Sequence, residues 1–168
     1  MKSTIRNKDK LVNTVFSRVY KKYDLMNDIA SLGIHRIWKN KLIDWMNPQF
    51  NESLIDVASG TGDIAKLFSK KNNNSSQITC VEPNDEMYSV GKSSLKSFKN
   101  IKWHKAKAEK LPFKNDTYNF YTISYGIRNV SDINLCLKEA LRVLKPGGRF
   151  MCLEFSKIDN EMIDLLYQ

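Results

Sequence analysis

The chain has little of what redox or metal chemistry needs. Its three cysteines, Cys80, Cys136 and Cys152, form no C-x-x-C pair, and an odd count closes no disulfide framework. Cys80 and Cys152 fall in apolar, strand-like runs, so the expectation is small buried thiols in a reducing compartment. The two histidines, His35 and His104, are far apart and lack ligand-spaced partners, so no metal site is expected. No window approaches ~18 apolar residues in a row, and no transmembrane helix is expected. The basic start, MKSTIRNKDK, is followed by no apolar h-region, as a secretory signal would require. An organellar presequence would be poorer in acids and longer before the first motif. Internal repeats are lacking, and the one low-complexity patch, SKKNNNSSQ, reads as a solvated loop.

What is present suits a soluble domain with a sizeable core: 168 residues, 42% hydrophobic and 27% charged. The formal net charge is +9. The lysines are scattered rather than arrayed with aromatics, so nucleic acid is not the expected partner. Attraction to an anionic membrane surface fits better.

Residues 1 to about 50 carry helical periodicity. Val15, Phe16, Val19 and Tyr20 recur at helical spacing, as do Ile34, Ile37, Trp38, Leu42, Trp45 and Met46, with Pro48 ending the second helix. From Ser53 onward strand and helix patterns alternate: SLIDVA, DIAKLFSK, QITCVE, NDEMYSVGKSSLKSF, NIKWHKA, NFYTISYG, SDINLCLKEALRVL, a turn at LKPGG, and RFMCLEF. Asn84 and Ser131 or Asp132 are the expected helix caps. Repeated β-α-β units predict an α/β fold, a parallel, doubly wound sheet. Ligands of such sheets bind beyond the carboxyl ends of the strands. Arg128, just past the fourth strand, is therefore expected on the ligand side.

The first strand runs into a glycine loop, DVASGTGDIA. Gly60-x-Gly62-x-x-Ala65, with Glu82 ending the second strand, satisfies the dinucleotide fingerprint, and a nicotinamide-dependent oxidoreductase is one reading. Asp56-x-Ala58-x-Gly60-x-Gly62 also has the layout of an S-adenosylmethionine loop, with Ala in place of the first Gly. There the backbone must approach a ligand carrying a carboxylate, an ammonium and a ribose. Asp56 can hold the loop or receive the ammonium through water, Thr61 offers its hydroxyl and N–H, and Glu82 can accept both ribose hydroxyls.

Longer stretches narrow the choice. ALRVLKPGGRF and KAEKLPF resemble segments of class I S-adenosylmethionine-dependent methyltransferases. VFSRVYKKYDLMNDIASLGIHRIWK, DVASGTGD, TISYGIRNV and LKPGGRFMCLEFSK together resemble the ubiquinone/menaquinone biosynthesis C-methyltransferases, from about Val15 to Lys157. The resemblance implies a Rossmann-like cofactor domain over 51–168, and a helical substrate cap over 1–50. It implies S-adenosylmethionine as cofactor and methyl transfer to a ring carbon of a prenylated quinol. Asp56, Gly60, Thr61, Gly62, Glu82, Lys107, Ala108 and Ser124 would bind the cofactor. Tyr23, Asn27 and Arg128 would bind the substrate, and Arg128, His35 and Asp24 would carry the chemistry. Guanidinium stays protonated at neutral pH, so Arg128 can stabilise an oxyanion but cannot be the base; His35 and Asp24 are the candidates for that role.

The pattern also departs from the family. Glu82 stands where Asp is usual, Asn119 replaces an Asp, and Lys107 stands where an acceptor is usual, which lysine cannot be. The chain stops soon after the fifth strand, whereas the fold normally continues. The expectation is a truncated sheet with an unpaired strand edge and poor solubility. The resemblance also implies a cytoplasmic protein, peripheral at an inner membrane (the matrix side in a mitochondrion). Self-association or a quinone-biosynthesis complex would be compatible with it.

Overall fold

A computed structural model describes residues 34–155. Tyr23, Asp24, Asn27 and the helix expected over Val15–Tyr20 lie outside the described residues. Helix α1 spans Ile34–Met46 and strand β1 Leu54–Val57. Helix α2 spans Asp63–Lys71, β2 Ile78–Val81, α3 Asp85–Ser94 and β3 Ile101–His104. Strand β4 spans Tyr118–Ser124, followed by a 3-10 turn at Ile127–Asn129, α4 over Ile133–Val143 and β5 over Leu144–Leu153. Among the described residues no helix is long and apolar enough to cross a membrane.

Among the described residues five strands form one parallel sheet in the order β3-β2-β1-β4-β5. The order reverses between β1 and β4, which makes their carboxyl ends the crevice of the sheet. Strands β1 and β2 are buried at every position, which is why they read as continuous apolar runs rather than alternating ones. Ile55, Val57, Tyr121 and Ile123 pack with Cys136, Ala140 and Val143 of α4 on one face. Leu54, Ile78 and Phe120 pack with Leu42, Ile43 and Met46 of α1 and Ile64, Ala65 and Phe68 of α2 on the other. Phe68 and Phe120 meet edge to face, centroids 5.6 Å apart, a geometry worth ~0.5–1.5 kcal/mol beyond burial.

The caps explain where the helices begin. Asn84 Oδ1 accepts the Met87 N–H at 3.0 Å, and Asp132 Oδ1 the Leu135 N–H at 3.0 Å. Of the two residues expected at the second position, Asp132 is the cap. Helix α1 ends at Met46, before Pro48. Arg149 of β5 donates to the Trp45 carbonyl at 3.1 Å and also to that of Met46, placing a cation on the helix's carbonyl end.

The helix read from the spacing of Ile34, Ile37, Trp38, Leu42, Trp45 and Met46 is present; Trp45 and Ile37 are exposed on it, while His35 and Lys39 are buried. Two expectations change. The LKPGG turn is not a separate element. It lies inside β5 as a bulge, where the register with β4 steps from Tyr118↔Leu144 to Phe120↔Arg149 and Gly147 takes φ +77°. Cys152 is exposed, whereas Cys80 and Cys136 are buried. Among the described residues β5 stands at one end of the sheet order, whereas Cys80 lies on β2, between β1 and β3.

Candidate active site

The carboxyl ends of β1, β2 and β4 converge on the glycine loop. Ser59 fastens that loop to the neighbouring strand: its hydroxyl donates to the Asp56 carbonyl at 2.6 Å and accepts the Val81 N–H at 3.0 Å. Ala58, standing where the loop pattern has glycine, takes φ +53°, a left-handed conformation that costs a residue with a Cβ about 1–2 kcal/mol. Gly60 follows at φ +56°, and a Cβ built there would meet no heavy atom within 4 Å. Among the described residues the loop crest therefore opens onto space rather than onto packed protein. Gly126, in the loop after β4, is needed for the opposite reason: a Cβ there would stand 2.6 Å from the Ala58 Cβ.

Two buried acids flank the loop. Glu82 accepts the Gly60 N–H through one carboxylate oxygen and the Asn84 N–H through the other, both at 2.9 Å. Burial raises its carboxyl above the ordinary range, and the two N–H donors oppose that rise. Each oxygen keeps a lone pair for a further donor. Asp56 is 1% exposed. Its Oδ1 accepts the Thr122 hydroxyl at 2.7 Å, whereas its Oδ2 is buried without a hydrogen-bond partner among the described residues. Burial pushes this carboxyl up to about 7, against the lowering by Thr122 and by the Lys39 charge. Lys39 is itself tied to Asp63, the first residue of α2, at 2.7 Å. Ser124 at the end of β4 also buries an Oγ that has no partner among the described residues.

The remaining expected residues are distributed around this crevice. Ala108 is buried and Lys107 exposed, in the segment that leaves β3. Thr61 is half-buried in the loop. His35 lies on the inward side of α1, 2% exposed. Arg128, in the 3-10 turn, is half-exposed and ion-paired to Glu154 at 2.8 Å, with its guanidinium 5.4 Å over the Phe155 ring. Trp38 of α1 meets the same ring edge-on at 6.0 Å.

Five residues at work here carried no sequence signal of their own. Ser59 and Glu154 are two. Glu109 accepts the Ser131 N–H at 2.6 Å and so holds the segment after Arg128. Arg142 of α4 donates to the Phe113 carbonyl at 2.7 Å and the Leu111 carbonyl at 3.0 Å, while Glu139 accepts the Leu111 N–H at 2.7 Å. The two quoted motifs ALRVLKPGGRF and KAEKLPF are thus clamped to each other, and part of their pattern serves that clamp rather than a ligand. Asn119 belongs to the opposite end of the sheet, where its Oδ1 accepts from Ser53 N at 3.0 Å and Lys145 Nζ at 2.9 Å.

A crevice of buried acceptors around an open glycine crest suits a ligand that brings donors and positive charge. Comparison with known proteins agrees. The model of the ubiE/COQ5 methyltransferase family matches residues 4–168. The chain belongs to the ubiE/COQ5 methyltransferase family. It is 50% identical over 167 residues to the ubiquinone/menaquinone biosynthesis C-methyltransferase UbiE of Rickettsia massiliae, covering 96% of this chain and 67% of that one. The corresponding protein of Rickettsia peacockii is 52% identical over the same span. The chain therefore spans about two-thirds of the length of these curated relatives. Among solved structures it is similar to the YcgJ protein of Bacillus subtilis, with TM-score 0.66, 25% identity and coverage of 76% of this chain and 54% of that one. A SAM-dependent methyltransferase from Aquifex aeolicus matches in fold, with TM-score 0.66, 19% identity and coverage of 73% and 66%. For this chain the family membership decides against the nicotinamide reading of the glycine loop. It is a methyltransferase.

Proposed function

We propose that this chain methylates a ring carbon of a polyprenylated quinol in ubiquinone or menaquinone biosynthesis, with S-adenosylmethionine as the methyl donor. The observation that carries the reading is the pairing of two features within one family frame. One is a glycine loop ringed by buried acceptors; the other is a cation, Arg128, beyond the next strand end.

Bound S-adenosylmethionine supplies a sulfonium methyl as the electrophile. The buried acceptors fit it: Glu82 would take the ribose hydroxyls and Asp56 Oδ2 the ammonium, directly or through water. Thr61 would offer its backbone N–H and hydroxyl. Gly60 and Gly62, whose N–H groups are already given to Glu82 and the Ser59 carbonyl, would let the backbone approach the ligand. Lys107 and Ala108 would line the adenine through backbone and methyl group, and Ser124 Oγ would close the pocket from β4. Arg128 would hold the quinol oxygen and lower the hydroxyl's pKa, because a nearby positive charge favours the anion. The ionised oxygen makes the adjacent ring carbon nucleophilic. Charge is neutralised as the reaction proceeds, and a dry, prepositioned site favours that. Tyr23, Asp24 and Asn27 would act from the amino-terminal segment.

The net charge of +9 would hold the enzyme at an anionic membrane surface, where its prenylated substrate resides, at about 1 kcal/mol per basic residue near the surface. Flotation with anionic vesicles at low salt, lost at high salt, is expected; no association at low salt removes the idea. For the reaction itself, the full chain is incubated with a demethylated quinol extract and S-adenosylmethionine. Methylated quinol is the expected product. Binding of S-adenosylhomocysteine without methylation of any quinol would redirect the assignment to another acceptor, and binding of NAD in its place would overturn it.

A further inference from the structure

We propose that Glu154 accepts the proton of the quinol hydroxyl, with Arg128 holding the oxyanion that results. The inference rests on the quinol reading above. That reaction needs a proton acceptor, and a guanidinium is not one.

Glu154 follows β5 directly, beside the end of β4, where Ser124 pairs with Leu153 and the Tyr125 N–H reaches the Leu153 carbonyl at 2.7 Å. It is therefore on the crevice side of the sheet. Its two oxygens are used differently. Oε1 accepts from Arg128 Nη1 at 2.8 Å and from the Phe155 N–H at 3.0 Å. Oε2 is buried and has no hydrogen-bond partner among the described residues. Anchoring Arg128 would ask for one oxygen with the other in water, or for both in a fork with the guanidinium. This carboxylate does neither: it engages the arginine with one oxygen and keeps the other buried and unpartnered. A buried polar group in that state has acceptor capacity to spare, and a catalytic role is one of the reasons such groups persist. Ser124 Oγ, at the end of the adjacent strand, is in the same state. Phe155 stacks under the guanidinium at 5.4 Å, so the Arg128–Glu154 pair is held against an apolar wall.

The step balances as follows. Glu154 Oε2 takes the hydroxyl proton and Arg128 faces the oxyanion. The ring carbon's electron pair forms the new carbon–carbon bond as the carbon–sulfur bond breaks, leaving a neutral thioether. The hydrogen on the methylated carbon then leaves to solvent as a proton and restores the aromatic ring. The ring oxygen, an oxyanion again, recovers its proton from Glu154.

The test uses the full chain, a demethylated quinol and S-adenosylmethionine. Glu154→Gln is expected to lower kcat by roughly 10²- to 10⁴-fold, the range of a general base. KM for the quinol and affinity for S-adenosylhomocysteine are expected to stay within about threefold. Its pH–rate profile should climb steadily into the alkaline range, because only pre-ionised quinol reacts, while wild type reaches a plateau. A kcat within about threefold of wild type, or one lowered equally at every pH, overturns the inference in favour of anchoring. Should the Gln variant not fold, wild type is run on quinols of graded ring acidity. A shallow dependence supports a base, and a rate proportional to the pre-ionised fraction overturns it. A wild-type chain that methylates no quinol sinks the proposed function and this inference together. One that does so beside an unaffected Gln variant sinks the inference alone.

Discussion

Asp56 makes the stability of this chain depend on pH in a direction opposite to that of most carboxylates. Its carboxyl is raised from 3.8 to about 7 by burial, so between those values the folded chain holds a proton that the unfolded chain has lost. Its contribution to stability is fully present below the unfolded value and is lost as pH rises to about 7. At about 1.36 kcal/mol for each tenfold change in proton affinity, the full swing is about 4 kcal/mol. Asp56→Asn removes the titration. The amide oxygen can keep the Thr122 hydroxyl, while its NH2 takes the place of an oxygen that already lacks a partner. That substitution carries its own cost of about 1–3 kcal/mol, but the cost does not vary with pH. The difference between wild type and variant therefore isolates the carboxyl. Urea unfolding of both proteins without ligand, from about pH 4.5 to about pH 8, should show the difference moving by about 3 kcal/mol in the variant's favour. A difference that stays flat within about 0.5 kcal/mol would refute the claim that Asp56 is buried with one oxygen unpaired. Saturation with S-adenosylhomocysteine should flatten the wild-type dependence, since an ammonium beside Oδ2 favours the ionised carboxyl.

Three further outcomes follow from the same geometry. Glu82→Gln forfeits one of two backbone N–H bonds and should weaken S-adenosylhomocysteine binding roughly 10- to 100-fold by calorimetry, the scale of a charged hydrogen bond; a change below threefold would clear Glu82 of the ribose role. Gly126→Ala drives a Cβ to 2.6 Å from that of Ala58 and should cost about 1–3 kcal/mol in denaturant melts. Ala58→Gly should recover at least ~1 kcal/mol of it, so purely additive effects would contradict the contact. Arg128→Ala should lower turnover roughly 10²- to 10³-fold, as for loss of one electrostatic stabiliser, with cofactor affinity nearly unchanged; normal turnover with lost cofactor binding would reverse the assignment.

Much of the scaffold was legible from local pattern. The alternation of apolar runs with amphipathic stretches marks the β and α elements from Leu54 to Leu153, because burial on both faces of a parallel sheet demands unbroken apolar strands. Asn84 and Asp132 announced their helices because a cap is a contact across three residues. The LKPGG turn misled for a related reason. Pro146 and Gly147 signal a bend, and only pairing with β4 turns that bend into a bulge within a longer strand. Helix α1 was legible as a helix, but periodicity says nothing of which side meets the sheet: Trp45 is exposed and the buried side carries His35 and Lys39.

The candidate site divides the same way. By itself the sequence determined the parallel α/β scaffold, the glycine loop, the acid after β2 and an arginine beyond β4, because each is written in residues close together along the chain. Tertiary structure alone decided that Asp56 would be stripped of water and left with one unpaired oxygen. It also decided that Ser59 would tie two strands, that Ala58 would require Gly126 to lack a side chain, and that Glu154 would meet Arg128 across 26 residues. Those facts depend on which strand ends become neighbours and on how far burial lowers the local dielectric. Both are properties of the packed sheet, and no short stretch of the chain contains them.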